Sequence, residues 1–292
     1  MASLKEVKTR IASVNNTRKI TSAMKMVASS KLHKAQQAIG SMSPYKLQLE
    51  RITSTFATHL DEEFATPYSI VKEVKRVALV IYTSNSSLCG GFNANAIKLL
   101  RKKSEEYKRQ GIEISHVYAI GKKGYDAVRK LGYGNCKDLS TMLEKPAYAQ
   151  AAQLSEELME LYKSGATDRV ELIYHHFKSA GSQILTQENF LPISLNDNVP
   201  TTSTTGDYQA NYIIEPTVED IIANLIPKTL HLKIYTAVLD SLASEHGARV
   251  IAMQVATDNA DDLLRELTLT YNKTRQQAIT AELLDIVGGS LQ

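Results

Sequence analysis

The stretch from Val218 to Ile286, VEDIIANLIPKTLHLKIYTAVLDSLASEHGARVIAMQVATDNADDLLRELTLTYNKTRQQAITAELLDI, decides the fold. Alternating steps of four and three residues along it trace a row that contains no Asp, Glu, Lys or Arg. The row is Val218, Ile222, Leu225, Thr229, Leu232, Thr236, Leu239, Ala243, His246, Val250, Met253, Thr257, Ala260, Leu264, Leu267, Tyr271, Thr274 and Ala278. An uncharged row that repeats every 3.5 residues is typical of a helix wound on a partner helix. At 1.5 Å per residue this helix is about 100 Å long.

A second long helix is predicted from Ser3 to about Leu60. Its apolar stripe begins with Leu4, Val7, Ile11 and Val14, and after a shift of phase continues through Ile20, Met24, Val27, Leu32, Ala35, Ile39 and Met42. Because a large domain lies between the two helices, the chain leaves along one and returns along the other. We therefore predict an antiparallel coiled coil, and since the helices differ in length, one should overhang at an end.

The middle of the chain changes to short β-branched runs that are separated by glycines. In chain order, the pattern predicts strand Val77–Tyr82, helix Asn93–Gln110, strand Ile114–Ile120, helices Lys122–Leu131 and Tyr148–Ser164, and strands Val170–Phe177 and Ile184–Leu191. The last two strands flank a turn at Ala180–Gly181 and form a hairpin. This alternation indicates a Rossmann-like, three-layer α/β domain with a mainly parallel sheet, inserted between the N- and C-terminal helices.

These patterns divide the chain into four parts. Residues 1–60 are predicted to form the N-terminal coiled-coil helix and residues 75–193 the α/β domain. Residues 194–211 form a polar, Thr-rich linker, and residues 212–292 form the C-terminal coiled-coil helix.

The α/β domain offers weak candidates for chemistry. The loop Cys89–Asn93 follows the first strand, where doubly wound sheets often bind ligands, but it matches neither G-x-G-x-x-G nor a P-loop. It is better explained as a turn, and so is Gly121–Gly124 with its surface lysines. His175 and His176 are adjacent in a strand and point to opposite faces, so they cannot share a metal ion. We predict no catalytic residue, no cofactor site and no metal site.

Composition narrows the class of protein. Hydrophobic residues make up 43% and charged residues 22%, as in ordinary globular proteins. The sequence contains no run of eighteen apolar residues, so it predicts no membrane span. The N-terminus has the features of neither a secretory signal nor an organelle import leader. Two cysteines, Cys89 and Cys136, are too few for a disulfide framework, which is typical of a reducing compartment.

The net charge of +3 conceals an asymmetry near the N-terminus. Between Met1 and Leu49, Glu6 is the only acid, and the basic residues are Lys5, Lys8, Arg10, Arg18, Lys19, Lys25, Lys31, Lys34 and Lys46. Such a block could face phosphates, anionic lipid or an acidic protein surface. A solvated helix face is the more common explanation, although such faces usually mix both signs.

The C-terminal tip is almost uncharged. No Lys or Arg follows Arg275, and apolar residues persist nearly to Gln292. An overhanging end of this kind needs a sheath in water. Fixed salt bridges between the tip and that sheath would lock the helix in one orientation, because separating a buried charge from its partner costs free energy. A nearly uncharged tip avoids this.

Five segments of the chain form recognisable motifs: Asn16–Leu32 (NTRKITSAMKMVASSKL), Leu88–Asn93 (LCGGFN), Ser244–Met253 (SEHGARVIAM), Ala256–Ala260 (ATDNA) and Tyr271–Leu283 (YNKTRQQAITAEL). All five resemble segments of one family, that of the gamma subunits of bacterial F-type ATP synthases. The resemblance runs from end to end in the same order. It departs at Ser84–Ser87, where the family usually has Ser-Asp-Arg-Gly.

The resemblance implies a central rotor shaft without catalytic activity of its own. The coiled coil would lie inside a hexamer of alpha and beta subunits, and the α/β domain would contact the epsilon subunit and the c-subunit ring at the cytoplasmic face of the bacterial inner membrane. Rotation of the c-ring, driven by protons or sodium ions, would turn the shaft and drive the beta subunits through their conformations for ATP synthesis, or the reverse during hydrolysis. Residues at family positions that contact the beta subunits are Met24, Lys25, Arg249, Gln276, Thr280 and Glu282.

Two other classes remain open from the residues alone. One is a nucleotide-binding α/β protein with oligomerising helical arms, for which tight nucleotide binding by the isolated chain would be the test. The other is a coiled-coil adaptor or nucleic-acid clamp that uses the basic helix. That helix lacks the interleaved aromatic residues of single-strand binders, and a salt-sensitive DNA shift would reveal such a clamp. Neither class accounts for the uncharged tip.

Overall fold

A computed structural model describes residues 3–57, 66–70, 72–193 and 217–289. The predicted linker 194–211 and the ends of the two predicted terminal helices, residues 1–2, 58–60, 212–216 and 290–292, lie outside the described residues. The elements in chain order are α1 (Leu4–Ala57), β1 (Arg76–Tyr82), α2 (Phe92–Arg109), β2 (Glu113–Ile120), α3 (Lys122–Lys130), β3 (Cys136–Asp138), a 3₁₀ helix (Ser140–Leu143), α4 (Tyr148–Lys163), β4 (Arg169–Ser179), β5 (Ser182–Leu191) and α5 (Val218–Gly289).

Every predicted helix and strand is present, and the predicted α/β class with long terminal helices is confirmed. Strand β3 and the 3₁₀ helix that follows it are not predicted from the sequence. Both are shorter than five residues, too short for an apolar pattern to repeat. Each long helix continues through a proline, Pro44 in α1 and Pro227 in α5.

The chain forms two compact units, one made of Met1–Ser30 with Arg249–Gln292 and one of Lys31–Ala248. The second unit holds a five-stranded sheet in the order β3-β2-β1-β4-β5. Strand β1 pairs in parallel with β2 and β4, and β3 extends the parallel part beyond β2. Strand β5 pairs antiparallel with β4, which confirms the predicted hairpin.

Both faces of this sheet are covered, so the predicted three layers are confirmed. Alternate residues of β1 enter different cores, because successive side chains of a strand point to opposite faces. Leu79 and Ile81 pack with Ala96 and Leu100 of α2. The other face carries Ala78, Val80 and Tyr82, which pack in one cluster with Leu154, Leu158, Ile226, Leu230 and Ile234. The last three belong to α5, so this helix serves as an outer layer of the domain beside α4.

Helix α5 therefore has two apolar rows in this unit. The row predicted from the sequence includes Thr229, whose hydroxyl lies 3.4 Å from that of Thr53 on α1. The second row, which includes Ile226 and Leu230, faces the sheet. A helix that is covered on two sides needs apolar residues on both sides. The 3.5-residue repeat in the sequence identifies only the side of α5 that faces α1.

Candidate functional site: the helix pair of residues 3–30 and 249–289

Three cross-helix contacts establish the pairing in the first unit. The Arg18 guanidinium donates to Asp261 at 2.8 Å. The hydroxyls of Thr21 and Thr257 lie 2.9 Å apart. The Lys25 ammonium donates to Gln254 Oε1 at 2.5 Å. Residue numbers rise along α1 as they fall along α5, so the predicted antiparallel arrangement is confirmed.

The buried edge of α1 differs from the predicted stripe. Leu4, Val7, Ile11 and Val14 are buried or half-buried as expected. The same alternation of three and four then continues without a shift through Arg18, Thr21, Lys25 and Ala28. The predicted stripe members Ile20 and Val27 are wrong, since they are 59% and 58% exposed. The sequence pattern predicts a shift of phase because three polar residues, Arg18, Thr21 and Lys25, interrupt the apolar stripe.

The basic block of α1 is divided between two environments. Arg18 and Lys25 are half-buried and bonded to α5 within the chain. Lys5, Lys8, Arg10 and Lys19 are exposed. This exposed part is free of acidic neighbours on α1 except Glu6, so it presents a positive surface.

Within this unit, the predicted row of α5 is buried or half-buried from Val250 to Thr274. The register of the three contacts places Leu4, the first residue of α1, opposite Arg275. Every residue from Arg275 to Val287 is exposed. Among them are the large apolar side chains of Ile279, Leu283, Leu284, Ile286 and Val287. The predicted overhang is therefore the C-terminal end of α5, without a partner helix among the described residues of the unit.

The six residues predicted from the family resemblance fall into two groups. Met24 and Lys25 are half-buried, and Arg249, which is 8% exposed, belongs to the same part of the helix pair. Gln276, Thr280 and Glu282 are exposed on the overhang. Since Gln254 lies opposite Lys25, the second group begins about 33 Å further along α5. The structure therefore does not bring the six into one site.

The ligand position of the α/β domain is filled by the chain itself. In this topology the crevice between β1 and β4, outside their carboxyl ends, is where a ligand is expected. Phe92 at the start of α2 stacks on His175 of β4, with ring centroids 4.3 Å apart. Ser244 of α5 donates its hydroxyl to the His175 carbonyl at 3.0 Å. An added Cβ at Gly247 would lie 3.1 Å from the Ala180 carbonyl oxygen, so α5 sits directly on the hairpin.

The loop after β1 is also a closed turn. Asn93 accepts from the Ser84 amide at 2.9 Å and donates to Cys89 Sγ at 3.2 Å. Asn85 stands where the family usually has Asp. It donates to the Ser140 carbonyl at 3.0 Å and accepts from the Lys122 amide at 3.0 Å. An aspartate could accept but not donate, so the departure from the family pattern adds one bond between loops.

The two adjacent histidines point to opposite faces, as predicted. His175 is buried, and burial lowers its pKa to about 4. His176 is exposed and its Nδ1 lies 2.8 Å from Asp240 of α5. Burial raises the pKa of the Asp240 carboxyl, and the hydrogen bond with His176 opposes that shift. This contact helps to fasten α5 to β4.

The described residues contain neither a metal-binding cluster nor a helix that could span a membrane. No group of three or more His, Cys, Asp or Glu side chains within the described parts of the chain has a metal-binding arrangement. Of the helices that the structure describes, none combines the length and apolar content needed to cross a bilayer.

Comparison with known proteins identifies the family. The family described as ATP synthase matches residues 3–291. The ATP synthase gamma chain of Bacteroides thetaiotaomicron is 54% identical, and the match covers 100% of both chains. That of Flavobacterium johnsoniae is 44% identical over 99% of this chain and 98% of its own. The chain belongs to the ATP synthase gamma-chain family, as the sequence motifs suggested.

Solved structures agree with the fold. A chain of the Euglena gracilis mitochondrial ATP synthase, from the OSCP/F1/c-ring assembly in rotational state 3, matches with a TM-score of 0.68 and 22% identity, covering 99% of this chain and 93% of its own. A chain of the central stalk and c-ring of the Tetrahymena thermophila mitochondrial enzyme matches with a TM-score of 0.58 and 22% identity, covering 81% of this chain and 99% of its own.

Membership of the family confirms two predictions. The chain is a subunit of an ATP synthase and carries no catalytic centre of that complex, and its role is that of the central shaft. The rival nucleotide-binding interpretation has no support from the geometry, because α5 and the Phe92–His175 stack occupy the place where the ligand would lie.

Proposed function

We propose that the chain carries rotation from the c-subunit ring to the catalytic beta subunits of its ATP synthase. Residues 1–60 and 212–292 form the rotating shaft, and the α/β domain of residues 75–193 attaches it to the ring and to the epsilon subunit. Flow of protons or sodium ions turns the shaft during ATP synthesis, and hydrolysis turns it in reverse. The shaft makes no bond itself; it shifts which conformation each beta subunit occupies.

The exposed overhang of α5 is the observation that carries this proposal. Among the residues that the structure describes, no helix packs against residues 275–286, and Ile279, Leu283 and Leu284 are at least half exposed. Apolar side chains clustered on a single helix are costly in water, so a partner must cover them. No lysine or arginine lies beyond Arg275, so a sheath meets few charges that would hold one orientation. A hexamer of alpha and beta subunits that surrounds the tip fits both properties.

The positive surface of α1 supports a second contact. Lys5, Lys8, Arg10 and Lys19 are exposed, and an acidic loop of the beta subunits is a suitable partner for them. Within this contact we assign Met24, Lys25 and Arg249 to the beta subunits near the helix pair. We assign Gln276, Thr280 and Glu282 to the beta subunits around the overhang.

The proposal also places the chain at a membrane. As a peripheral subunit, it would reach the bilayer through the c-ring, at the cytoplasmic face of the bacterial inner membrane. It needs no nucleic acid, cofactor or metal ion for this role.

Co-expression with the alpha and beta subunits of the same organism tests the proposal. The chain should elute with them in a ratio of one to three to three, and the complex should hydrolyse ATP with rotation of a bead attached to the α/β domain. Leu283→Asp with Leu284→Asp should reduce recovery of the complex, whereas Asp262→Asn, an exposed change outside the overhang, should not. Assembly of alpha and beta subunits that excludes this chain, or ATP hydrolysis by the complex without rotation of the bead, would overturn the proposal.

A further inference from the structure

Three consecutive layers of the helix pair are polar where a coiled coil ordinarily places apolar residues. Arg18, Thr21 and Lys25 continue the buried edge of α1 between Val14 and Ala28. Each is bonded across the interface, to Asp261, Thr257 and Gln254 in turn. Gln254 is held further by its own bond to Asp258 at 2.7 Å.

These bonds contribute little to stability. The side chains of Arg18 and Asp261 are 40% and 42% exposed, and an ion pair that water reaches to this extent adds little stability, because solvent screens the attraction. Leucine or valine at the same positions would bury apolar surface instead. The polar layers therefore need an explanation other than stability.

The uncharged row of α5 does not by itself determine where α1 lies along it. The row repeats every seven residues, so if α1 slides along α5 by one heptad, about 10 Å, its stripe again faces the uncharged row of α5. The three polar pairs, however, are broken by such a slide. A slide in one direction places Thr21 beside Leu264, and a slide in the other places it beside Val250. Arg18 then meets Thr268 or Gln254 and loses its bond to Asp261 either way, whereas Lys25 meets Asp261 or Gly247.

We propose that Arg18, Thr21 and Lys25, with Asp261, Thr257 and Gln254, set the axial register of the two helices. A single polar residue in a coiled-coil seam is known to select register at a cost in stability. Three adjacent pairs of different chemistry (an ion pair, a hydroxyl pair and a lysine–amide pair) make the selection stricter, because no single slide satisfies all of them. The fixed register keeps the overhang at residues 275–287 at one length.

Distances between spin labels test the register in the full chain. Labels at Ala12→Cys and Asn259→Cys lie on exposed positions of the two helices, in a background with Cys89→Ser and Cys136→Ser. Double electron–electron resonance should give one narrow distance. The triple variant Arg18→Leu, Thr21→Val, Lys25→Leu should unfold at a higher temperature yet show a second population or a clearly broader distribution. A shift of one heptad displaces the labels by about 10 Å along the axis.

The control is a triple variant with the same residue types on the exposed face, Arg10→Leu, Thr17→Val, Lys19→Leu, which should keep the single distance. Arg18→Asp alone should broaden the distribution, and Arg18→Asp with Asp261→Arg should narrow it again. An unchanged single distance in the seam triple variant, or no narrowing on the charge swap, would overturn the proposal. Because the measurement lies within this chain, that result would leave the rotary function standing.

Discussion

The imidazole of His175 stacks on the ring of Phe92, with centroids 4.3 Å apart and planes inclined by 27°. Burial lowers the pKa of His175 to about 4, whereas in the unfolded chain it is about 6.5. The folded state therefore binds this proton more weakly than the unfolded state. Stability from the neutral ring is complete above pH 6.5 and is lost as the pH falls from 6.5 towards 4, by about 2 kcal/mol at pH 5.

Urea unfolding of the full chain at pH 7.5 and pH 5 measures this loss. His175→Phe keeps an aromatic ring against Phe92 but does not titrate. Between pH 7.5 and pH 5, its free energy of unfolding should therefore fall by about 2 kcal/mol less than that of the wild-type chain. His176→Gln, at the exposed neighbour, should leave most of the pH dependence in place. An identical pH dependence in wild type and His175→Phe would show that the buried ring is not its source.

Gly121 is expected to be the least replaceable glycine of the domain. Its φ is +118°, and an added Cβ would lie 2.2 Å from the Thr83 carbonyl oxygen. Gly121→Ala should therefore cost several kcal/mol or abolish folding, since backbone must move. Gly132→Ala is the matched control, because Gly132 also has a positive φ, +85°, but open space around it. The control should cost about 1–2 kcal/mol, and equal losses in the two variants would contradict the steric explanation.

Ile20 and Val27 should matter to partners and not to the fold. Both are exposed on α1, away from the polar seam, so Ile20→Gln with Val27→Gln should change the free energy of unfolding by no more than about 0.5 kcal/mol. In the assembled complex, the same pair should weaken the coupling of ATP hydrolysis to ion pumping. Leu32→Gln, at a buried position of the same helix, should instead destabilise the chain. Full coupling in the double variant would exclude this face from partner contact.

Charge reversal at Lys25 should weaken coupling more at low salt than at high salt. An attraction between exposed charges is screened over about 10 Å at 0.1 M salt, whereas the lost bond to Gln254 is not. Ion pumping by complexes with Lys25→Glu or the control Lys19→Gln, measured from 20 to 300 mM KCl, separates the two effects. Coupling that falls equally at every salt concentration would count against an electrostatic contact with the beta subunits.

Arg249 does not suit the same experiment, although its sequence position suggested it. It is 8% exposed, so Arg249→Glu would bury a carboxylate. We expect a loss of stability at every ionic strength, which thermal unfolding of the isolated chain would detect. A stable variant with salt-dependent coupling would show instead that the charge of Arg249 acts on the beta subunits directly.

Removal of Gly288–Gln292 should have a mild effect. The deletion spares Gln276, Thr280 and Glu282 and most of the apolar overhang, and a tip that only slides within its sheath needs no particular side chain at its end. Rotation of single complexes should continue at more than half the normal rate. Deletion from Gln276 onward is the comparison and should reduce torque strongly. Arrest by the five-residue deletion would refute the idea of a sliding tip.

The sequence by itself determined the helices and strands other than β3 and the 3₁₀ helix, the antiparallel direction of the pair and the overhang of α5. Each of these follows from the polarity of neighbours along the chain. A 3.5-residue row without charge requires a partner helix, and an intervening domain requires that partner to run the other way. The hairpin of β4 and β5 followed from two β-branched runs around a glycine turn.

Only the tertiary structure decided the register of α1 against α5 and the packing of a second face of α5 on the sheet. Arg18, Thr21 and Lys25 interrupt an apolar stripe, and their place in the seam depends on Asp261, Thr257 and Gln254, which are more than 200 residues away along the chain. Likewise, Ile226 and Leu230 cover a sheet that only the folded domain assembles. The periodic pattern of a sequence shows only which residues of one helix are polar. The free-energy cost of burying a polar side chain depends on whether the other helix offers it a bonding group.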